Sequence, residues 1–236
     1  LRERNWVKAN QFPYQAAAGA LLDSGDYHSL AQAVMQKASE LGLYEKQAAA
    51  RQQGRLYGIG MSAIVEPSIS NMGYITTVLT PEQRAKAGPK NGAVATATVG
   101  VDLLGGVNVV IASAPAGQGH MTVCAQVVAD VLGVRPQDVT VNVDLDTAKD
   151  AWSVASGNYS SRFAGAVAGT VHLAACQLRD KIAAIVAQQW QCDVADIVFA
   201  DGQVRQATNE KHVQVFTRMA ALAHWAPALL PKGMEP

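Results

Sequence analysis

The chain has 236 residues with 19 Lys+Arg against 19 Asp+Glu, so no charge bias draws it to nucleic acid or to an anionic membrane surface. Hydrophobic residues make up 49% of it, enough to bury a sizeable core in one domain or two small ones, but no uninterrupted apolar run reaches the length of a membrane span. Cys124, Cys176 and Cys192 are scattered without a C-x-x-C, a pattern that indicates neither a disulfide framework nor an iron–sulfur cluster.

In chain order, Leu1–Phe12 carries mixed charge, and Ala16–Tyr27 is a turn-rich connector. Ser29 is placed to cap a helix holding Leu30, Ala33, Val34 and Ala38, and a polar, alanine-rich helix over Glu45–Gln53 stops at Gly54. Leu56–Ile64 reads as a strand, Glu66–Gly92 as a long irregular loop, and Ala93–Val101 as a strand turning at Leu103–Gly106 into a hairpin partner. That partner, Val107–Ala112, is apolar and β-branched. Pro115, Gly117 and Gly119 then interrupt any regular element. From Met121 the residues Cys124, Ala125, Val128, Val131 and Leu132 recur at helical spacing until Gly133, and Val139, Val141 and Val143 alternate as a strand. A second loop runs through Gly157–Arg162 into a long helix, Phe163–Gln189. A hairpin turning at Asp201–Gly202, a short helix over Met219–Trp225 and a proline-rich tail, 227–236, complete the chain. The elements predict an α+β fold of mixed sheets with packed helices. The expected division is a helical connector over 1–55, a binding domain over 56–226 and the tail. No signal peptide opens the sequence, so the expected location is cytoplasmic, and Leu1 in place of Met suggests a fragment or processed piece.

Two glycine-and-hydroxyl loops therefore empty into helix N-termini, where unpaired N–H groups favour an anion. Gly117-Gln118-Gly119-His120-Met121-Thr122 partly matches a dinucleotide fingerprint, but Thr122 replaces the third glycine and Asp144 comes late for the ribose carboxylate. His120 with Cys124 and His172 with Cys176 have the i,i+4 spacing of a zinc site, yet both cysteines fall on apolar faces as small hydrophobes do. No G-x-S-x-G elbow is present, and Asp144 and Asp146 read as solvated strand-end caps.

Four segments together resemble the molybdenum-binding large subunit of the xanthine oxidase family, which includes xanthine dehydrogenase, aldehyde oxidase and aerobic carbon monoxide dehydrogenase. They are Arg2-Glu3-Arg4-Asn5-Trp6-Val7 with Phe12-Pro13-Tyr14, then Asp23-Ser24-Gly25-Asp26-Tyr27, then Gly117–Thr122 with Ala125-Gln126 and Ala129-Asp130, and last Gly157-Asn158-Tyr159-Ser160-Ser161-Arg162. Order and spacing agree over nearly the whole chain.

The resemblance implies a molybdopterin-binding α+β segment, with the cofactor in its cytosine dinucleotide form. It implies contacts from Gly117, Gln118, Gly119 and His120 on one side and Gly157, Asn158, Tyr159, Ser160, Ser161 and Arg162 on the other. It gives Gln118 the place beside the molybdenum, as the catalytic candidate. The implied reaction is hydroxylation of an aldehyde or N-heterocycle carbon with water as oxygen source. The implied partners are the rest of the molybdenum subunit, an iron–sulfur subunit and an FAD subunit. The chain departs from the family pattern where Asp144-Leu145-Asp146-Thr147 stands for "GDTD" and Phe163 for a serine, and the family's catalytic glutamate motif is absent, Glu235 lying in a different context. The alternatives are a nucleotide-binding enzyme of other chemistry and a non-catalytic scaffold of the same fold.

Overall fold

In the computed structural model the described residues are 2–66, 73–76, 79–88, 93–148, 153 and 156–234. They form two units, the first comprising the described residues up to 88 and the second those from 93 onward.

The first unit holds α1 (Arg2–Asn5), a two-residue antiparallel ladder of β1 (Tyr14–Gln15) and β2 (Leu21–Leu22), then α2 (Tyr27–Glu40), α3 (Leu43–Gln52) and α4 (Pro81–Ala87). The cap of α2 is Asp26 rather than Ser29, because the Asp26 carboxylate accepts the Ser29 N–H at 3.1 Å and so satisfies the first turn. α4 interrupts the stretch read as irregular. Thr80 and Gln83 form a reciprocal capping box around Pro81, a signal visible in the sequence as T-P-E-Q. Residues 67–72, 77–78 and 89–92 of that stretch lie outside the described residues. Leu56–Ile64 forms no strand: no described segment pairs with it, and Leu56 and Ile64 stand exposed. An alternating pattern specifies a face, but a strand needs a partner for its ladder. Ala31 is the one buried residue of this unit among those described.

The second unit is built on a three-stranded sheet in the order β3 (Ala97–Val101), β4 (Val107–Ile111), β5 (Val139–Asn142). β3 and β4 form the expected antiparallel hairpin, its turn held by Asp102, whose carboxylate accepts the N–H groups of Leu104 and Gly106 at 2.8 and 2.9 Å. β4 and β5 are parallel, Val107 opposite Val139 and Val109 opposite Val141, and α5 (His120–Leu132) is the crossover such a pair requires. The alternation in β4 is strict: Val107, Val109 and Ile111 are buried while Asn108 is exposed. α5 covers them with Cys124, Val128 and Leu132, and α6 (Ala168–Trp190) with Val171, Ala175 and Val186, all in one core.

Gly133 ends α5 in the left-handed conformation at φ 64, and a Cβ there would lie 2.5 Å from the Phe199 carbonyl carbon. Its carbonyl accepts the Gly202 N–H at 2.6 Å. This fastens a second sheet of β6 (Ile197–Ala200), β7 (Gln203–Gln206) and β8 (Asn209–Val215), all antiparallel. Asp201 and Gly202 both have positive φ, as the two-residue hairpin turn demands. β8 goes beyond the sequence reading, which stopped at β7. The final helix starts earlier than expected and is broken in two, α7 (Phe216–Ala220) and α8 (Leu222–Trp225), with Phe216 and Met219 buried. The architecture is α+β, as the sequence implied. No described helix is long and apolar enough to cross a membrane.

Candidate functional site

The loop after β4 and the loop before α6 are joined at Ala114. Its N–H donates to the Ser156 carbonyl at 2.9 Å, and its carbonyl accepts from Asn158 Nδ2. Thus the two segments singled out by sequence, 44 residues apart at this bond, form one local structure within the second unit.

On the first loop, Gly117 and Gly119 have φ of 99 and 80, and a Cβ at either would meet nothing within 4 Å. The backbone there needs glycine for its dihedrals and leaves open space above it, in contrast to Gly133. Gln118 Oε1 accepts the Ala116 N–H at 2.6 Å. That bond settles which end of the amide faces the loop, since only the oxygen can accept, and it leaves Nε2 as a donor. Gly119 is the N-cap of α5 and has no side chain of its own to accept the first-turn N–H groups.

On the second loop, Ser160 and Ser161 are consecutive non-glycine residues at positive φ, 53 and 45. Each such placement costs about 1–2 kcal/mol, and strain of this kind concentrates where a ligand or a reaction needs it. Arg162 is 2% exposed, donates from Nη2 to the Ala93 carbonyl at 2.7 Å, and lies with its guanidinium carbon 5.8 Å from the Tyr159 ring centroid. The helix that follows does not begin as an α-helix. Phe163–Val167 is wound as a π-turn, an element that recurs at functional sites, before α6 proper starts at Ala168.

The two loops meet again through His120 and Phe163, whose rings stack with centroids 3.6 Å apart and planes 1° from parallel. His120 is 2% exposed, and burial pushes its imidazole pKa below the ordinary value, which keeps it neutral. Sequence reasoning placed His120 here but overlooked Phe163, Ala114 and Ser156 as site-building residues. The signal for Phe163 was available, as the one aromatic residue where the family pattern has serine.

Among the described residues five buried side-chain polar atoms have no hydrogen-bond partner, and three of them are on these loops: His120 Nδ1, Asn158 Oδ1 and Tyr159 Oη. Leaving such atoms unsatisfied costs about 1–3 kcal/mol each, so three together on joined loops mark a place where a polar ligand completes the structure. Open glycine backbone, uncapped helix N–H groups and unpaired acceptors and donors fit a large, polar, phosphate-bearing group.

The zinc arrangement does not form. Cys124 is fully buried in the core with its thiol pushed up to about 11 by burial, and His172 contacts Cys176 at 3.6 Å on α6. Among the described residues no group of three or more His, Cys, Asp or Glu is placed to hold a metal ion. Asp146 Oδ1 accepts the Ala148 N–H at 2.9 Å, as a turn carboxylate does. Glu235 lies outside the described residues.

The profile of the molybdopterin cofactor-binding domain matches residues 33–234. The chain is 29% identical over its whole length to 27% of the nicotine 6-hydroxylase large subunit of Paenarthrobacter nicotinovorans. It is 26% identical over its whole length to 28% of the carbon monoxide dehydrogenase large chain of Hydrogenophaga pseudoflava. In the crystal structure of quinoline 2-oxidoreductase from Pseudomonas putida 86 it superposes with a TM-score of 0.65 at 28% identity, covering 99% of this chain and 28% of that one. The chain thus spans little more than a quarter of the relatives it matches. It belongs to the molybdopterin cofactor-binding domain family, as a segment of the molybdenum-binding large subunit of the xanthine oxidase family.

Proposed function

We propose that this chain forms part of the wall of a molybdopterin site in a hydroxylase that oxidises a carbon of an N-heterocycle or an aldehyde. The observation that carries the reading is the trio of buried, unpartnered polar atoms, His120 Nδ1, Asn158 Oδ1 and Tyr159 Oη, on two loops joined at Ala114. When bound, the molybdenum cofactor supplies the two-electron redox chemistry by which oxygen from water enters the substrate.

The residues of this chain bind and orient. Gln118, its oxygen held by the Ala116 N–H, would offer Nε2 to the cofactor as a neutral donor. Gly117 and Gly119 would let the cofactor approach the backbone, next to the neutral, buried ring of His120. Gly157, Asn158, Tyr159, Ser160 and Ser161 would hold the cofactor from the second loop, at its pterin and phosphate end by the resemblance. Arg162, buried against the Ala93 carbonyl, fixes the strained turn and adds positive potential.

Support for an N-heterocyclic substrate comes from the names of relatives that act on nicotine and quinoline. The resemblance extends the reading to the cytosine dinucleotide form of the cofactor, to iron–sulfur and FAD partners that carry electrons away, and to a cytoplasmic complex. The test is metal and pterin analysis of the complex purified from its natural source, followed by turnover of N-heterocycles in 18O-labelled water. Molybdenum with pterin, and label in the product, is the expected result. A complex that holds another nucleotide and no pterin overturns the reading.

A further inference from the structure

Among the described residues β3 is an edge strand, paired with β4 alone. Thr96 accepts the Ala112 N–H at 3.2 Å and the Asp102 N–H donates to Gly106 at 2.9 Å, so the even-numbered residues turn their polar groups toward β4. Ala97, Val99 and Val101 must turn theirs the other way. His224 Nε2, 3.1 Å from the Val101 carbonyl, confirms that phase and occupies one acceptor. The N–H and C=O groups of Ala97 and Val99 face no described strand.

A groove of about 400 Å³ runs along β3 over its whole length, from Ala97 to Val101. Leu178, Lys181 and Ile182 of α6 also line it, as do Leu230 and Met234. Its lining is apolar apart from a few side chains such as Lys181, which suits a partner that pairs through its backbone and inserts alternate apolar side chains. The β3 sequence, Ala-Thr-Val-Gly-Val, has no charge and no proline, and the strand has no bulge against β4, so three of the usual protections of an exposed edge are missing.

We propose that an extended segment of the same large subunit, from outside these 236 residues, adds to β3 as a fourth strand and fills this groove. The proposal rests on the chain being a segment of such a subunit. The matched relatives are covered to only 27% and 28% of their length, so most of a subunit of that kind lies outside this segment, tethered at high effective concentration. A strand along Ala97–Val101 meets roughly 13 Å of edge at ~3.3 Å per residue.

The experiment is amide hydrogen exchange on the intact complex, read at single residues, together with an amine-to-diazirine cross-linker at Lys181, which captures any neighbour. The proposal expects Ala97 and Val99 to exchange as slowly as Thr98 and Gly100, and Lys181 to capture a peptide of the same subunit outside this segment. It further expects Val99→Pro, which removes an outward N–H, to abolish assembly that Val99→Ala retains. Rapid exchange at Ala97 and Val99, capture of only another subunit or a second copy, or equal assembly of the two variants overturns it. A wild-type complex without molybdenum would sink the cofactor reading and leave these exchange rates untouched, so the two failures are distinguishable.

Discussion

The rings of His120 and Phe163 lie parallel, with centroids 3.6 Å apart, tying the first residue of α5 to the first residue of the π-turn that leads into α6. The contact closes one end of the structure that the Ala114 bonds close at the other. Phe163→Ser, which restores the family's residue, should loosen that closure. The lost aromatic pair is worth about 0.5–1.5 kcal/mol, so the complex should melt a few degrees lower. The specific readout is modification of His120 by diethylpyrocarbonate, which should rise as its cover goes. An unchanged modification rate would mean that the stack does not shield the ring.

His120 also sets an acid limit on the site. Its folded pKa lies below the ordinary 6.5 because burial disfavours the imidazolium, so the unfolded chain binds the proton more readily. The stabilisation from the neutral ring is fully present above 6.5 and is lost as pH falls from there through the folded pKa. Cofactor release from the wild-type complex should therefore accelerate below pH ~6.5. His120→Gln, which does not titrate, should lack that part of the profile, and superimposable profiles would contradict the assignment.

Two glycines separate fold from site. Gly133→Ala meets the Phe199 backbone at 2.5 Å on top of its positive φ and should destabilise the complex severely. Gly119→Ala meets nothing within 4 Å and should cost only the ~1–2 kcal/mol of left-handed backbone. The account expects Gly119→Ala to stay folded by circular dichroism but to lose cofactor, whereas Gly133→Ala loses both together. Full cofactor content in a folded Gly119→Ala would show that the open space above that backbone is idle.

Gln118→Ala should impair turnover more than cofactor content, because the side chain is exposed and, among the described residues, bonds only to the neighbouring Ala116 N–H. Loss of a hydrogen bond to a charged group, about 1.5–3 kcal/mol, should slow the reaction about tenfold or more if that bond strengthens in the transition state. Arg162→Ala should do the reverse, since it removes a buried charge and its bond to Ala93 and lets the Ser160–Ser161 turn relax. Equal cofactor loss in both variants would reassign the roles.

What the sequence showed was local. The run from β4 through α5 to β5 was legible because periodicity, two loop glycines and the Gly133 cap all speak within a few residues of the elements that they define. α4 announced itself in the Thr80–Gln83 capping box but was hidden by the low apolar content around it. β8 was obscured because its alternation is between polar residues on an exposed edge, Asn209 to His212. The Leu56–Ile64 strand was predicted from a face without a partner, and partners are a tertiary property. In the site, residue types identified both loops, but the stack of Phe163 on His120 and the Asn158 bond to Ala114 span dozens of residues and leave no periodic trace.

The central claim, that these joined loops hold a molybdopterin cofactor, is tested most directly by the molybdenum and pterin content per subunit of the intact complex, in the wild type and in Asn158→Ala. That variant removes the Nδ2 bond to Ala114 and the unpartnered Oδ1 together, while its side chain lies outside the hydrophobic core. The account predicts stoichiometric molybdenum and pterin in the wild type and loss of most of both in a folded Asn158→Ala complex. A wild type free of pterin, or an Asn158→Ala complex that retains it in full, would contradict the account.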